Sequence, residues 1–217
     1  MSRLKKNMRY LSQAGFTEKK VLADLKAGLS LLKSTNNRIV TIFGSHKVKK
    51  GSYYYRHCRK LAYSLGMKGY AIFTGGGPGI MHAANTGASD ANAQSVGLKA
   101  EFIQGESVSD DVFTKVLSFH FMFVRRFILS IKSEALIFYP GGYGTLNELF
   151  EYLVLMQTGA VDKVPIICVD KKYWRGLFDW LKTNPLKNNF YNNAKRDLKL
   201  LHFAEDLDEI LTIIEKK

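Results

Sequence analysis

The sequence predicts an α/β protein with a doubly wound, mostly parallel, Rossmann-like sheet, helices on both faces of that sheet and a helical extension at the N-terminus. Short β-rich apolar runs alternate with amphipathic segments of helical length along most of the chain, and this alternation implies parallel pairing through right-handed crossovers. Two of the predicted strands run straight into glycine-rich turns, at 75–79 and 140–145. In such sheets ligands bind outside the carboxyl ends of the strands, so both turns mark a predicted site.

The N-terminal extension is predicted over residues 1–37. Its apolar residues recur at helical spacing and share one face; they are Val21, Leu22, Leu25, Leu29 and Leu32. The turn-forming residues Ser34–Asn37 end this pattern. Residues 38–217 are then predicted to form one Rossmann-like, nucleotide-binding catalytic domain.

The first strand of that domain, Arg38–Ser45, is a nearly continuous β-rich run that ends in Gly-Ser, which is typical of a strand buried on both faces. Four further strands are predicted at 69–74, 95–100, 134–139 and 164–169. The helices are predicted at 52–67, from residue 80 onward, and at 113–133, 145–158, 173–183 and 204–216.

The composition favours a cytoplasmic protein with an ordinary core. Of the 217 residues, 46% are apolar and 12% are aromatic, which is enough to build a substantial core. No apolar run is long enough to cross a bilayer, and no apolar segment follows the basic N-terminus as in a secretory signal. Cys58 and Cys168 lack histidines at metal-ligand spacing, so we expect reduced core thiols and no metal site.

The formal net charge of +13 favours anionic partners such as nucleotides, nucleic acid or an acidic membrane surface. The lysines and arginines are spread along the chain, and no predicted helix carries a dense basic stripe interleaved with aromatic residues. A solvated basic surface is therefore favoured over a nucleic-acid face. Neither nucleic acid nor a membrane is an expected partner.

Each glycine turn lies between a strand and a helix, where glycine has a physical use. Without a Cβ the backbone can approach a ligand closely, and the start of the following helix offers unpaired N–H groups to a phosphate. The alternative is a tight turn without a ligand, and two such turns at one sheet edge make it less favoured. Pro78 interrupts the first turn, and no Walker lysine follows either turn, so the pattern favours a monophosphate over a dinucleotide or triphosphate.

Three charged residues are the candidates for chemistry. Arg125 and Arg126 interrupt an apolar, aromatic segment, and a guanidinium group is costly to bury without an anionic partner. That partner is predicted to be a phosphate or a carboxylate such as Glu148, which follows the second glycine turn. The alternatives are a structural ion pair for one arginine and, for Glu148, a capping box with Thr145. His120 is expected to be structural.

The motifs resemble those of a known family. Residues 140–148 read PGGYGTLNE and fit the PGGxGTxxE signature of the LONELY GUY (LOG) family, while 75–81 and 42–45 resemble that family's first glycine loop and opening strand. The resemblance implies hydrolysis of the N-glycosidic bond of a purine nucleoside 5′-monophosphate, either AMP or an N6-modified AMP such as a cytokinin nucleotide. The products would be the free base and ribose 5-phosphate.

The resemblance also implies a site. Arg125 precedes Glu148 by 23 positions, as in the family's catalytic pair. The implied substrate- and phosphate-binding residues are Ser45, Gly76, Gly77, Gly79, Arg126, Gly141, Gly142, Tyr143, Gly144 and Thr145. The resemblance implies no metal or organic cofactor. It also implies a homodimer.

Three departures from the family pattern are visible. Arg126 stands in place of the usual lysine, Val154 in place of a frequent threonine, and residues 101–104 differ from the usual pattern. The alternative function is a non-catalytic nucleotide sensor or carrier on the same scaffold.

Overall fold

The computed structural model describes residues 5–101, 110–188, 190 and 198–216, and these form a seven-stranded sheet in which all the paired strands are parallel. The strands are β1 (Ile39–Phe43), β2 (Ala71–Thr74), β3 (Ser95–Ala100), β4 (Lys115–Phe119), β5 (Ser133–Phe138), β6 (Ile166–Val169) and β7 (Leu201–Ala204). Their order across the sheet is β4-β3-β2-β1-β5-β6-β7. The predicted doubly wound α/β fold is confirmed.

Helices cover both faces of the sheet. The helices are α1 (Lys5–Ser12), α2 (Ala14–Ser34), α3 (Tyr53–Met67), α4 (Ile80–Asp90), α5 (Met122–Ser130), α6 (Tyr143–Thr158), α7 (Lys171–Lys187) and α8 (Leu207–Glu215). Helices α2, α5, α6 and α7 pack on one face, and α3, α4 and α8 pack on the other. None of the helices in the described part of the chain combines the length and apolarity needed to cross a membrane.

Strand β1 lies at the centre of the sheet, where the direction of winding reverses. All five of its residues are buried. Ile39 and Phe43 pack into one core layer, and Val40 and Ile42 pack into the other, as the alternation of side chains along a strand requires. The chain goes from β1 to β2 on one side and resumes on the other side at β5. The crevice at the carboxyl ends of β1 and β5 is therefore the topological switch point, where ligands of such sheets bind.

The predicted single helix over 113–133 is wrong in its first half. Lys115–Phe119 form the edge strand β4, which pairs with β3, and the helix begins only at Met122. Only two residues separate the strand from the helix, and periodicity alone does not divide so short a junction into a strand and a helix.

The C-terminal segment was also predicted incompletely. Strand β7 was missed, and α8 begins at Leu207 rather than at residue 204. The side chain of Asp206 accepts a hydrogen bond from the backbone N–H of Glu209 and so sets the start of α8. Only two residues separate β7 from α8, so its pattern merges with that of the helix.

The N-terminal segment forms two helices, because the helical pattern breaks at Gln13 between α1 and α2. Leu31 and Leu32 of α2 are buried in the core layer that α5 and α6 share. Residues 1–4 of the predicted extension and 102–104 of the divergent stretch lie outside the described residues.

Candidate active site

Three turns meet at the carboxyl edge of the sheet, and Ser45 connects them. The backbone N–H of Ser45 donates to the carbonyl of Pro140 at 3.1 Å, and the carbonyl of Ser45 accepts from the N–H of Ile80 at 3.1 Å. Gly79 lies so close that a Cβ there would be 2.3 Å from the Ser45 carbonyl oxygen, and its φ is +69°. The glycine at this position is therefore required by both the backbone conformation and the close approach.

The first glycine turn is held from below by buried polar side chains. The hydroxyl of Thr74 accepts from the N–H of Gly76 at 2.9 Å and donates to the side-chain oxygen of Asn85 at 2.5 Å. The amide of Asn85 in turn donates to the hydroxyl of Ser95 at 2.9 Å. This chain of hydrogen bonds joins β2, α4 and β3 beneath the turn and fixes its shape.

A cavity of about 100 Å³ opens beside this turn. The residues that line it are Gly75, Gly76, Gly77, Met81, Lys99, Ala100 and Arg125. Two of the predicted binding glycines and the predicted catalytic arginine thus share one cavity. The sequence prediction missed Lys99 and Met81, although the position of Lys99 near the carboxyl end of a strand was a usable signal.

Arg125 is buried against the first glycine turn, with 6% of its surface exposed. Its Nε donates to the carbonyl of Leu98 at 2.6 Å. A Cβ on Gly75 would lie 2.0 Å from a terminal nitrogen of the guanidinium group, so the absence of a side chain on Gly75 makes room for Arg125. Arg125 lies in the first turn of α5, where its own N–H donates to the carbonyl of Phe121 at 3.1 Å.

The second glycine turn leads into the start of α6. Gly142 is the N-cap, and the first hydrogen bond within the helix runs from the N–H of Leu146 to the carbonyl of Gly142 at 3.0 Å. The N–H groups before Leu146 have no acceptor within a helix, and Gly142, Tyr143 and Gly144 are exposed. The hydroxyl of Tyr173 donates to the carbonyl of Gly141 at 2.6 Å and so holds the turn from α7.

The capping-box interpretation of Thr145 and Glu148 is wrong. Helix α6 begins two residues before Thr145, so Thr145 belongs to the first turn rather than the N-cap position. Its side chain is buried against Gly141, where a Cβ would lie 2.1 Å from the Thr145 hydroxyl oxygen. Glu148 is therefore available for another role.

Glu148 has a strongly perturbed carboxyl group. Burial raises its pKa from 4.5 to about 7, while the guanidinium groups of Arg125 and Arg126 oppose that shift and the carboxylate of Glu151 adds to it. Arg126 itself forms an ion pair with Glu151, and its carbonyl accepts a hydrogen bond from the hydroxyl of Tyr152 at 2.9 Å. The two arginines thus have different partners, and the positive charge of each limits the rise in the pKa of Glu148.

The described residues contain no group of three or more histidine, cysteine, aspartate or glutamate side chains arranged to hold a metal ion. Cys58 and Cys168 are buried free thiols on opposite faces of the sheet, and burial raises the pKa of both. The groups at this edge of the sheet that could take part in a reaction are Arg125, Glu148 and the main-chain N–H groups of the two glycine turns.

The fold and this site define a Rossmann-like α/β protein with a buried arginine, and a carboxyl group whose pKa lies near 7, at the carboxyl edge of its sheet. The sequence profile of the family described as "Possible lysine decarboxylase" matches residues 81–214. The chain is 30% identical over 177 residues to cytokinin riboside 5′-monophosphate phosphoribohydrolase LOG3 of Arabidopsis thaliana, and the match covers 79% of each chain. A probable phosphoribohydrolase of the same kind from Oryza sativa subsp. japonica, LOGL6, is 29% identical over 179 residues, or 80% of this chain and 69% of that one.

The chain therefore belongs to the LONELY GUY family, and the family predicted from the glycine motifs is confirmed. Among solved structures, the molybdenum cofactor binding protein of Rippkaea orientalis superposes with a TM-score of 0.61, covering 84% of this chain and 98% of that one. At 19% identity this likeness shows the fold alone.

Proposed function

We propose that the protein is a phosphoribohydrolase that cleaves the N-glycosidic bond of a purine nucleoside 5′-monophosphate, either AMP or an N6-modified AMP of the cytokinin type. The products are the free base and ribose 5-phosphate. The observation that carries this proposal is that Glu148, whose pKa burial raises to about 7, lies within the electrostatic influence of Arg125, which is itself buried against the first glycine turn. The curated names of the relatives support the same reaction.

In this proposal the 5′-phosphate binds at the start of α6. The N–H groups of Gly142, Gly144 and Thr145 precede the first hydrogen bond within the helix, and the helix dipole favours an anion there. Ser45 and the first glycine turn line the opposite side. Arg126 contributes positive charge near the site while it pairs with Glu151.

The chemistry follows from the charge that develops on the sugar. As the bond between the base and C1′ lengthens, the ribose gains positive charge, as in glycoside hydrolysis. Ionised Glu148 stabilises that charge and accepts a proton from the water that attacks C1′. The electrons of the broken bond leave with the base, and the proton passes on through solvent to the departing base nitrogen, which restores the ionised carboxylate. Arg125 orients Glu148, and binding of the distant phosphate helps to distort the sugar.

The test is release of free adenine from AMP, measured together with ribose 5-phosphate. We expect Glu148→Ala to lower kcat by at least about a hundredfold, the low end for a positioned acid–base group. Glu134→Gln is the matched control. Glu134 forms an ion pair with Arg38 near the start of β5, whereas the second glycine turn follows the other end of that strand. Near-normal turnover by Glu148→Ala would refute the assignment, and equal activity on nucleosides without a phosphate would refute the phosphate site.

A nucleotide carrier without turnover is the second candidate, because a cofactor-binding protein shares the fold. It predicts saturable AMP binding and no ribose 5-phosphate after prolonged incubation. Retention of both Arg125 and Glu148 supports the enzyme instead.

We also propose a homodimer and a cytoplasmic location. The exposed apolar side chains of Phe123 on α5 and Val154 on α6 support a contact between subunits, since both are 53% exposed. Light scattering after gel filtration tests the dimer, and a monomer at micromolar concentration would refute it.

A further inference from the structure

Helix α2 of the N-terminal segment runs alongside α5, the helix that carries Arg125. The contact is close at its middle, where a Cβ on Gly28 would lie 2.4 Å from Cγ1 of Ile128. At its end, the ammonium group of Lys132 donates to the carbonyls of Leu32 and Thr35, at 2.9 and 2.5 Å. These contacts align α2 with α5 along most of the length of α5.

At the start of α5, the attachment is a buried carboxylate. Asp24 of α2 has 4% of its surface exposed. Its Oδ2 accepts hydrogen bonds from the backbone N–H groups of His120 at 2.8 Å and Phe121 at 3.1 Å. Phe121 is the N-cap of α5 and has no polar side chain to offer, so a residue of another helix supplies the anionic cap that a helix start favours.

Asp24 also fixes the side chain of His120. Oδ1 of Asp24 accepts from Nδ1 of His120 at 2.8 Å, and Nε2 of His120 lies 3.0 Å from a carboxylate oxygen of Glu101. Glu101 directly follows β3, whose Leu98 carbonyl holds Nε of Arg125. Asp24 thus holds the start of α5 directly and is linked through the side chain of His120 to the end of β3, the two elements between which Arg125 is held.

From this geometry we propose that Asp24 is a positioning residue for Arg125, so that the N-terminal segment sets the alignment of the guanidinium group with Glu148. This rests on the proposed function for its kinetic consequence. Asp24 does not contact the substrate; it acts through α5 and β3.

The kinetic consequence should fall on kcat rather than on KM. The phosphate is held by α6 and the first glycine turn, and Asp24 contacts neither. Misplacing Arg125 by a fraction of an ångström to an ångström therefore leaves binding nearly intact while it spoils the geometry of the reacting groups, which costs up to about a hundredfold in rate.

The pH profile gives a second readout that mere loss of stability would not move. The charged groups that face Glu148 are Arg125 and Arg126 of α5, which lower its pKa, and Glu151 of α6, which raises it. If removal of Asp24 lets Arg125 shift away, the pKa of Glu148 rises further. The acidic limb of the kcat profile then moves to higher pH.

The experiment compares Asp24→Ala and Asp24→Asn with Leu25→Ala in the full-length chain. Leu25 packs against the core from the neighbouring position of α2, so its truncation weakens the same helix without touching the cap. We expect Asp24→Ala to lose about tenfold to a hundredfold in kcat with KM within about twofold, and its acidic limb to move up. Asp24→Asn keeps one acceptor oxygen and should be intermediate, whereas Leu25→Ala should melt earlier with normal kcat.

A measurement independent of activity separates this proposal from the proposed function. The Nε–H NMR signal of Arg125, assigned by its loss in Arg125→Lys, should be protected from solvent exchange in the wild-type chain by its bond to Leu98 and lose that protection in Asp24→Ala. Failure of the wild-type chain to hydrolyse AMP would refute the proposed function, but the NMR measurement would still test the role of Asp24. An unchanged Arg125 signal in Asp24→Ala would overturn the role of Asp24, as would an unchanged kcat and pH profile in an active enzyme.

Discussion

At the scale of single residues, Glu148 is where the environment most changes the chemistry of the proposed site. Its side chain lies near a helix start, which favours negative charge, and the two neighbouring arginines also lower its pKa. Desolvation outweighs these effects, and the pKa rises to about 7. A carboxyl group poised near neutral pH can both stabilise positive charge and exchange a proton with water. The sequence could place Glu148 after the second turn, but it could not show this balance.

The activity should follow the ionisation of this group. We expect kcat/KM for AMP to rise with pH through about 7 and then to level off, because the ionised carboxylate is the form that stabilises the ribosyl cation. A pH–rate profile from pH 5 to 9 checks this. A flat profile through that range would exclude Glu148 as the titrating group.

The same shift predicts an opposite effect on stability. Because the folded-state pKa lies above the unfolded value of 4.5, the fold is favoured most below that value and loses stability as the pH rises through about 7. Glu148→Gln removes the ionisation, so it should be more stable than the wild type at pH 8, by at most about 3 kcal/mol, and equally stable at pH 4. Chemical unfolding at both pH values measures the difference.

Tyr173 provides a third prediction at this scale. Tyr173→Phe removes the hydrogen bond to the Gly141 carbonyl and should loosen the second glycine turn. We expect KM for AMP to rise about two- to tenfold, which corresponds to one hydrogen bond of roughly 0.5–1.5 kcal/mol, with little change in kcat. Tyr63→Phe, on the exposed side of α3, is the control, and an unchanged KM in Tyr173→Phe would show that this bond does not shape the turn.

At the scale of elements, Gly79 of the first glycine turn and Gly144 of the second are needed for different reasons. Gly79 has a positive φ and almost no space for a Cβ, whereas a Cβ on Gly144 would meet nothing within 4 Å. The fold itself therefore requires glycine at position 79. At position 144 the protein alone has room for a side chain.

Two alanine substitutions separate these roles. Gly79→Ala should destabilise the fold by about 1–3 kcal/mol through backbone strain alone, and more through the clash with Ser45. Gly144→Ala should leave the melting temperature unchanged but raise KM for AMP, because a methyl group would stand where the phosphate approaches the helix start. Unchanged KM in Gly144→Ala would argue against the phosphate position.

The elements also show where sequence patterns are sufficient. The five predicted strands lie in the structure as β1, β2, β3, β5 and β6. The edge strands β4 and β7 were missed, because only two residues separate each of them from the helix that follows, so the strand and helix patterns merge. For the site, the motifs predicted Arg125 and Glu148 as the catalytic pair. The structure adds Lys99 beside Arg125 in the cavity, Tyr173 against Gly141, and Asp24 at the start of α5.

At the scale of the whole molecule, the charge of +13 has to be reconciled with the proposed site for a small anion. A mononucleotide held by backbone N–H groups in a crevice displaces few counterions, while a nucleic acid on a basic surface releases many. We therefore expect KM for AMP to change only by a few fold between 50 and 300 mM salt. Tight binding of single-stranded DNA that weakens steeply over the same range would show that the surface has a second use.

The bonds of Ser45 also bear on how such an enzyme could be redesigned. Since its N–H bonds to one neighbouring turn and its carbonyl to the other, a turn taken from a relative has to follow the same main-chain path to keep both bonds. Chimeras that transplant all three segments together should keep their fold, whereas single-segment grafts should express poorly. Diversification of substrate choice in this scaffold is accordingly easier at Lys99, which lines the cavity from β3 and takes no part in those bonds.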